Sequence, residues 1–156
     1  MKNRTDAISI RQVTWQDSQE DLRLIRTQVF IDEQHVPVEL EWDEHDADCI
    51  HLLAYDNEGK AVGTARMMAD GHIGRMAVLK SCRGRGVGSA LLNRLIDIAR
   101  TQQLEKVFLY AQTTAIGFYE RHHFHVTSDE FMDAGIPHRE MSLDLRNVLK
   151  FSDIRD

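Results

Sequence analysis

The sequence of 156 residues contains only two cysteines and carries no excess of positive charge. Cys49 and Cys82 lie far apart, which favours a reduced chain over one built on disulfides. The net charge is −6 at pH 7, whereas proteins that bind nucleic acid usually present a basic face. We therefore predict a cytoplasmic protein without a nucleic-acid partner.

Long apolar runs are also missing from the sequence. No run approaches the roughly 20 residues that cross a bilayer, and the opening MKNRTDAISI contains no apolar signal core. We therefore predict no membrane partner. The apolar fraction of 42% and the charged fraction of 28% are typical of a folded domain. Because no repeat, low-complexity tract or linker is present, we predict a single domain over residues 1–156.

The first half of the chain shows mainly strand patterns. Alternating side chains predict a strand at residues 8–14, and Asp17 is the predicted N-cap of the helix that follows. Residues 50–56 and 61–68 flank a turn and form a predicted hairpin. A third antiparallel strand is predicted at residues 72–79, directly after a second tight turn.

The second half alternates helices with strands. A helix is predicted to end near Gln102, and the apolar strand at 106–111 is predicted to be buried on both faces, as in parallel pairing. Residues 113–123 predict a short helix with a threonine cap, and 124–129 and 139–145 predict closing strands. The whole order predicts an α/β fold of the α+β type, in which helices cover both faces of a mixed, mostly antiparallel sheet.

A glycine-rich loop, CRGRGVGSALL at residues 82–92, joins the third strand to the long helix. Free amides at a helix N-terminus and the helix dipole favour an anion, and glycines allow a ligand to approach closely. Arg83 and Arg85 add forked donors that suit phosphate. No lysine follows Gly88, which excludes a nucleotide P-loop, and the alternating glycines do not fit the dinucleotide-binding spacing.

The loop resembles the R/Q-x-x-G-x-G/A signature of the GCN5-related N-acetyltransferases (GNAT), with Arg83, Gly86 and Gly88 at the signature positions. AIGFYERHHF at 115–124 resembles the second family motif, A-x-x-F-Y-x-x-x-G-F, although His123 stands where the family often has glycine. The resemblance covers nearly the whole chain. It implies the GNAT fold with splayed central strands, acetyl-CoA as cosubstrate and no metal.

The resemblance also implies how the cosubstrate binds, with its diphosphate on the loop and its pantetheine arm along the preceding strand. The implied cofactor-binding residues are Met76, Ala77, Val78, Arg83, Gly84, Arg85, Gly86, Val87, Gly88 and Ser89. An amide near Val78 would bind the developing oxyanion. Tyr119 stands where the family has a tyrosine that faces the sulfur, so we predict that it protonates the leaving thiolate; a core-filling tyrosine is the alternative.

His138 is the predicted base that removes a proton from the amine. It follows a glycine and a proline in GIPHREM, and FMDAGIPHREM resembles the segment of the glyphosate-acetylating branch in which a histidine is the base. An exposed loop histidine is the alternative. His72, just before the third strand's core, is a second candidate that could also point at the acceptor.

The acceptor-side residues leave the charge of the acceptor open. By the same resemblance, Arg75 stands where the glyphosate-acetylating branch has an arginine that contacts a substrate anion, and Arg66 could help to hold a carboxylate. Gln112 replaces the second arginine of that branch, so glyphosate itself is not implied. Glu33, Glu39 and Asp46 could instead line the acceptor mouth. The acidic stretch at 39–48 would attract a cationic amine, or it forms a solvated loop.

We therefore predict an acetyl-CoA-dependent N-acetyltransferase that acts directly on a primary or secondary amine of a small molecule, such as an amino acid or its analogue. No covalent acetyl-enzyme is needed, because Cys82 belongs to the cofactor loop. The alternative is a non-catalytic acyl-CoA-binding sensor or interaction domain. Transfer of a longer acyl chain also stays open, and the resemblance allows a homodimer.

Overall fold

A computed structural model describes residues 7–146, which form one eight-stranded sheet with helices packed on it. The strands are β1 (Ser9–Val13), β2 (Ile50–Tyr55), β3 (Ala61–Met67), β4 (His72–Val78), β5 (Lys106–Gln112), β6 (His125–Val126), β7 (Phe131–Asp133) and β8 (Ile136–Asp144). The α-helices are α1 (Trp15–Arg26), α2 (Val38–Glu41), α3 (Val87–Thr101) and α4 (Ile116–Arg121). A π-helical segment, Thr27–Glu33, continues α1 directly.

The sheet has the strand order β1-β2-β3-β4-β5-β8-β6, and β7 pairs with the first three residues of β8, Ile136–His138. Neighbouring strands run antiparallel, except that β4 and β5 are parallel. The predicted α/β fold of the α+β type, with a mixed and mostly antiparallel sheet, is therefore confirmed. The hairpin of β2 and β3 and the long helix α3 also lie where the sequence predicts them.

Helices α1 and α3 cover opposite faces of the sheet. A Cβ added to Gly63 of β3 would lie 3.0 Å from Val87, so this face of β3 packs directly beneath α3. His51 of β2 lies opposite Arg66 of β3 on the other face, because side chains alternate along a strand. The His51 ring is 5.6 Å from the ring of Trp15 in α1. The prediction that helices cover both faces is thus confirmed.

Strands β4 and β5 separate soon after they begin. They pair only where His72 meets Phe108 and Ile73 meets Leu109, although each strand has seven residues. Arg75 has a φ of +48° and lies where the register between β3 and β4 shifts. Such a bulge bends its strand and strengthens the local twist. Beyond it a gap opens between the two strands, as the family resemblance implies.

The prediction that β5 is buried on both faces is wrong. Val107, Leu109 and Ala111 are buried, whereas Lys106 and Tyr110 are exposed. Helices α3 and α4 pack against β5 from one side, and its full-length pairing is antiparallel, with β8. The apolar run therefore covers one face with aliphatic side chains and leaves aromatic ones on the other.

Local details at the helix and strand ends also differ from the predictions. Thr14, not Asp17, is the N-cap of α1, since its Oγ1 accepts a hydrogen bond from the Asp17 amide at 3.1 Å. A 3₁₀ turn, Thr113–Ala115, leads into α4 in place of the predicted threonine cap. The sequence prediction missed β7, which pairs with β8 across a turn where Ala134 and Gly135 have φ of +53° and +78°.

A network of ion pairs holds the acidic stretch against α1 and the sheet. Arg26 donates to Glu41 at 2.7 Å and to Asp46 at 2.9 Å. Arg66 donates to the same Asp46 at 2.7 Å and to Asp43 at 2.9 Å. Asp46 is only 2% exposed. The expectation that this stretch is solvated or lines the acceptor mouth is therefore wrong for Asp46.

Arg75 closes this network into a ring of alternating charges. Its guanidinium is 3.2 Å from Glu41 and 3.2 Å from Asp43, so three arginines and three carboxylates each contact two partners. Burial disfavours the charged form of Asp43, but hydrogen bonds from Arg66 and the charges of Arg66 and Arg75 outweigh it and lower the pKa of Asp43 to about 2. The ring ties α1, the acidic stretch, β3 and β4 together.

We expect Asp46→Ala to lower the free energy of unfolding by about 3 kcal/mol, because the buried side chains of Arg26 and Arg66 each lose one of their two carboxylate partners and the ring keeps an unbalanced positive charge. Urea denaturation at pH 7 measures this loss. Asp97→Ala is the matched control, since Asp97 pairs with Arg100 at 3.3 Å while its side chain is 70% exposed. Exposed pairs contribute at most about 1 kcal/mol. Equal and small losses in both variants would contradict a structural role for the ring.

Candidate functional site

A cavity of about 860 Å³ follows the gap between β4 and β5. On the α3 side of the sheet it is lined by the glycine loop and by α4. On the other side it is lined by side chains of β4, β5 and β8 and by the segment from the π-helical turn to α2. The cavity therefore connects a loop suited to an anion with a chamber on the opposite face of the sheet.

The glycine loop presents the start of α3 to this cavity. Gly84 and Gly86 have φ of +81° and +83°, a left-handed conformation that favours glycine. Gly86 is the N-cap of α3 and no side chain caps the helix, so its first amides have no acceptor within the helix. A Cβ on Gly88 would lie 3.4 Å from the Phe118 ring, so glycine lets α4 pack closely against this turn. These features suit an anion at the helix N-terminus.

Arg83 has protein partners within the loop region. It donates to both carboxylate oxygens of Glu33 at 2.7 and 2.8 Å and, through Nε, to the Val78 carbonyl at 2.9 Å. The hydrogen bond from Arg83 is the main cause that lowers the pKa of Glu33. Glu33, a candidate for the acceptor mouth, thus lies against the cofactor loop. Arg85 is exposed and does not line the cavity.

Ser89, in the first turn of α3, contacts a histidine that sequence reasoning passed over. Its hydroxyl is 2.9 Å from Nε2 of His122, and burial lowers the pKa of this histidine. A serine in the glycine loop followed by a histidine at the end of the next helix was the available signal, but only the fold brings them together.

Tyr119 reaches the gap from α4. Its hydroxyl lies 3.5 Å from the sulfur of Met76 in β4, and thioether sulfur is a weak acceptor. The hydroxyl can therefore turn to a stronger acceptor placed in the gap. Burial raises the pKa of Tyr119 to about 12, so the phenol is protonated at neutral pH. The arrangement fits a group that donates a proton.

His138 lies on β8 and lines the same cavity. Its side chain is not on an exposed loop, because the residue is 8% exposed and its ring stacks on Phe131 at 6.0 Å. Nδ1 is 2.7 Å from the Ile136 carbonyl, which can only accept, so Nδ1 carries the hydrogen. The lone pair of the neutral ring is therefore on Nε2, where it can accept a proton.

The ring of His72 packs against two aromatic rings of β5. Its ring stacks on Phe108 at 4.7 Å and meets the ring of Tyr110 at 4.6 Å, nearly edge-on. Burial is the main cause that lowers the pKa of His72. It lines the cavity beside β5, so the chamber contains two imidazole candidates on different strands.

The three predicted acceptor residues all line the cavity, and each is engaged by protein groups. Arg75 donates to the carbonyl of Glu41 at 3.0 Å in addition to its ion pairs. Arg66 belongs to the ring of charges. Gln112 donates to the side chain of Gln34 at 2.8 Å, which joins β5 to the segment after the π-helical turn.

Within residues 7–146, no group of three or more His, Cys, Asp or Glu side chains is arranged to hold a metal ion. None of the helices described there is both long and apolar enough to span a bilayer. Cys49 and Cys82 are free thiols, and Cys82 lines the cavity beside the glycine loop.

Comparison with known proteins identifies the family. Residues 12–145 match the family described as acetyltransferase (GNAT) domain. This chain belongs to the GNAT acetyltransferase family. The prediction made from the glycine loop and the second motif is thereby confirmed. Family membership makes the chain an acyltransferase and supports an acyl-CoA as its donor.

Individual GNAT relatives agree with this assignment. The chain is 42% identical over 128 residues to the uncharacterized N-acetyltransferase YjcF of Bacillus subtilis, covering 80% of this chain and 91% of YjcF. An acyl-CoA N-acyltransferase from Pseudomonas aeruginosa superposes with a TM-score of 0.78 at 28% identity, covering 87% and 99% of the two chains. Arabidopsis thaliana Naa50, solved with the bisubstrate analogue CoA-Ac-MVNAL, shares the fold with a TM-score of 0.68 at 24% identity, covering 88% and 98%.

We expect the neutral imidazole of His138 to carry its hydrogen on Nδ1. Two-bond proton–nitrogen correlation spectra of ¹⁵N-labelled protein at mildly alkaline pH distinguish the two tautomers, and His138→Gln identifies the signal. His51 is the internal control, because its Nε2 lies 2.7 Å from the Asp46 carbonyl and must carry the hydrogen there. If His138 carries its hydrogen on Nε2 instead, it has no lone pair facing the cavity and cannot be the base.

Proposed function

We propose that this chain is an acetyl-CoA-dependent N-acetyltransferase that transfers the acetyl group directly to a primary or secondary amine of a small molecule. The observation that carries the proposal is that Tyr119 and His138 line one cavity along the gap between β4 and β5. One is a phenol that stays protonated at neutral pH, and the other is an imidazole with an available lone pair. Separate groups are thus present to take a proton from the amine and to give one to the leaving thiolate.

In this proposal the loop at 83–89 holds the diphosphate of the donor. The edge of β4 that turns away from β5 offers backbone groups of Met76, Ala77 and Val78 to the pantetheine arm, as an added strand would. An amide near Val78 stabilises the oxyanion that forms from the thioester carbonyl. Arg83 contributes once it exchanges the carboxylate of Glu33 for the diphosphate.

The acid and base act at the two ends of the reacting group. An alkyl amine has a pKa of about 10 in water, so it arrives mostly protonated. Nε2 of His138 takes this proton, directly or through water, and the neutral nitrogen can then attack the thioester carbonyl. When the carbon–sulfur bond breaks, the phenol of Tyr119 gives its proton to the thiolate. The nitrogen loses its remaining extra proton through water, which restores the phenol. No covalent acetyl-enzyme is required, since Cys82 lies beside the cofactor loop.

Family membership favours catalysis over the alternative of a non-catalytic acyl-CoA sensor. We also propose that residues 1–156 are a single catalytic domain, because one sheet and its helices account for residues 7–146. The cytoplasmic location and the homodimer stay predictions.

We expect Tyr119→Phe to lower kcat at least about tenfold, which corresponds to about 1.4 kcal/mol in the barrier, and to leave the KM for acetyl-CoA nearly unchanged. The phenol acts only as the thiolate leaves, so its loss affects the chemical step. Thiol release, measured with an amine found in a screen of amino acids, polyamines and aromatic amines, reports kcat. Tyr55→Phe, in β2 and outside the cavity, is the control. An unchanged kcat in Tyr119→Phe would remove this residue from the mechanism.

We expect Gly86→Ala to weaken CoA binding about tenfold, the order of one impaired hydrogen bond to a charged group. Its methyl group would narrow the approach to the first amides of α3. Gly59→Ala is a matched control, because Gly59 and Gly86 have φ of +81° and +83° and neither Cβ would meet an atom within 4 Å. Gly59 lies in the turn between β2 and β3, so it carries the same backbone strain away from the cavity.

Calorimetry with CoA and urea denaturation separate the two effects. Both variants should lose similar stability, on the order of 1–2 kcal/mol for a left-handed non-glycine residue. Equal CoA affinity in Gly86→Ala and Gly59→Ala would show that the diphosphate does not lie on this loop.

A further inference from the structure

We propose that the acceptor is an amine that carries an aromatic group, and that this group binds on Tyr110 beside His138. The inference rests on the proposed N-acetyl transfer, because it names the class of amine for the same cavity. It follows from how the charges of the chamber are used and from which apolar surface is left open.

Most of the charged side chains that line the acceptor end of the cavity form ion pairs within the protein. Arg75 and Arg66 line the cavity, but both belong to the closed ring of three arginines and three carboxylates. Glu41, the ring carboxylate that lines the cavity, contacts Arg26 and Arg75. An acceptor held mainly by an ion pair would have to break these contacts and leave a buried charge without its partner. Recognition of the acceptor must therefore rely on side chains outside the ring of charges.

Tyr110 is such a side chain. It is 44% exposed, although large apolar side chains on a central strand are usually covered. Its ring meets His72 at 4.6 Å and Phe131 at 5.4 Å, in both cases nearly edge-on, so its orientation is set within the protein. Exposed apolar surface inside a cavity is what a ligand covers when it binds. The acid–base mechanism makes no use of this ring.

Tyr110 and the predicted base share an aromatic neighbour. The ring of Phe131 contacts both Tyr110, at 5.4 Å, and His138, at 6.0 Å. An aromatic group on Tyr110 therefore lies next to the imidazole that accepts the proton, and a short linker can bring its amine to Nε2. Further apolar side chains that line the cavity are Phe30, Val36, Leu40, Met68 and Ile136.

Asp133 gives the chamber one carboxylate outside the ring of charges. It lies on β7, is exposed and lines the cavity. A carboxylate in this position favours the approach of a protonated amine, whereas it disfavours an acceptor with its own carboxylate. Together with the exposed ring of Tyr110, it makes the chamber better suited to an amine with an aromatic group than to a free amino acid, which carries a carboxylate, or to a polyamine, which has no ring to cover Tyr110.

Binding to the CoA-loaded protein tests the inference without any turnover. Calorimetry compares 2-phenylethylamine with n-hexylamine, which has similar apolar size but no ring, and with spermidine and phenylalanine. We expect 2-phenylethylamine to bind about three- to tenfold more tightly than n-hexylamine, since aromatic pairs gain free energy beyond the area that they bury. Equal affinities, tighter binding of spermidine or phenylalanine, or no binding of 2-phenylethylamine would each overturn the proposal.

Variants assign the preference to the ring of Tyr110. Tyr110→Ala should abolish the preference for 2-phenylethylamine, whereas Tyr110→Phe should retain it because the ring remains. Met132→Ala is the matched control, as Met132 is 63% exposed on β7 and does not line the cavity. Circular dichroism checks that each variant is folded. If folded Tyr110→Ala keeps the preference for 2-phenylethylamine, or if folded Tyr110→Phe loses it, the aromatic group does not bind at Tyr110.

Thiol release from acetyl-CoA separates this inference from the proposed function. Binding of 2-phenylethylamine that depends on Tyr110, with no thiol release for any amine, supports the aromatic binding site at Tyr110 but contradicts N-acetyl transfer and therefore an acceptor role for the bound amine. Release with n-hexylamine or spermidine and without a preference for aromatic amines supports N-acetyl transfer and overturns the inference.

Discussion

The early separation of β4 from β5 is the constraint on which the rest of the structure depends. Paired strands satisfy each other's backbone groups, whereas here one edge of β4 is left without its neighbour after two residue pairs. Those groups must find water or a ligand, so an extended chain with amide groups can take the place of a strand. The cavity, the glycine loop and Tyr119 are all arranged along this interruption of the sheet.

The ring of charges helps to keep the strands apart. Arg75 occupies the bulge with a φ of +48°, a conformation that costs a non-glycine residue on the order of 1–3 kcal/mol and persists only when its surroundings enforce it. Its guanidinium supplies that enforcement through Glu41 and Asp43. The ring pairs three carboxylates of the acidic stretch, Glu41, Asp43 and Asp46, with arginines. A conflict visible in the sequence, between an arginine that suggests an anionic acceptor and acids that suggest a cationic one, is thus resolved by pairing them.

Local patterns in the sequence were sufficient for much of the fold and for the cofactor loop. The β2–β3 hairpin, α3 and the glycine loop depend on neighbouring residues, and their signals are short in range. The ring of charges was not predictable, because Arg26 and Arg66 meet carboxylates 15 to 23 residues away along the chain. The alternation of buried and exposed side chains along β5 was not visible in the sequence, because its aromatic and aliphatic residues are all apolar. The burial of His138 depends on β7, which the sequence pattern did not reveal.

The π-helical turn has a mechanical consequence. Leu22 and Ile25 bury their side chains in the core, whereas Val29, Phe30 and Gln34, further along the same segment, line the cavity. An inserted residue in a π-type turn shifts the phase of a helix without ending it. Backbone hydrogen bonds continue through this turn, and the amide of Gln34 donates to the carbonyl of Val29 at 3.1 Å. A bulky acceptor that contacts Phe30 or Gln34 therefore meets a segment that is tied by its own backbone to the helix packed on the sheet.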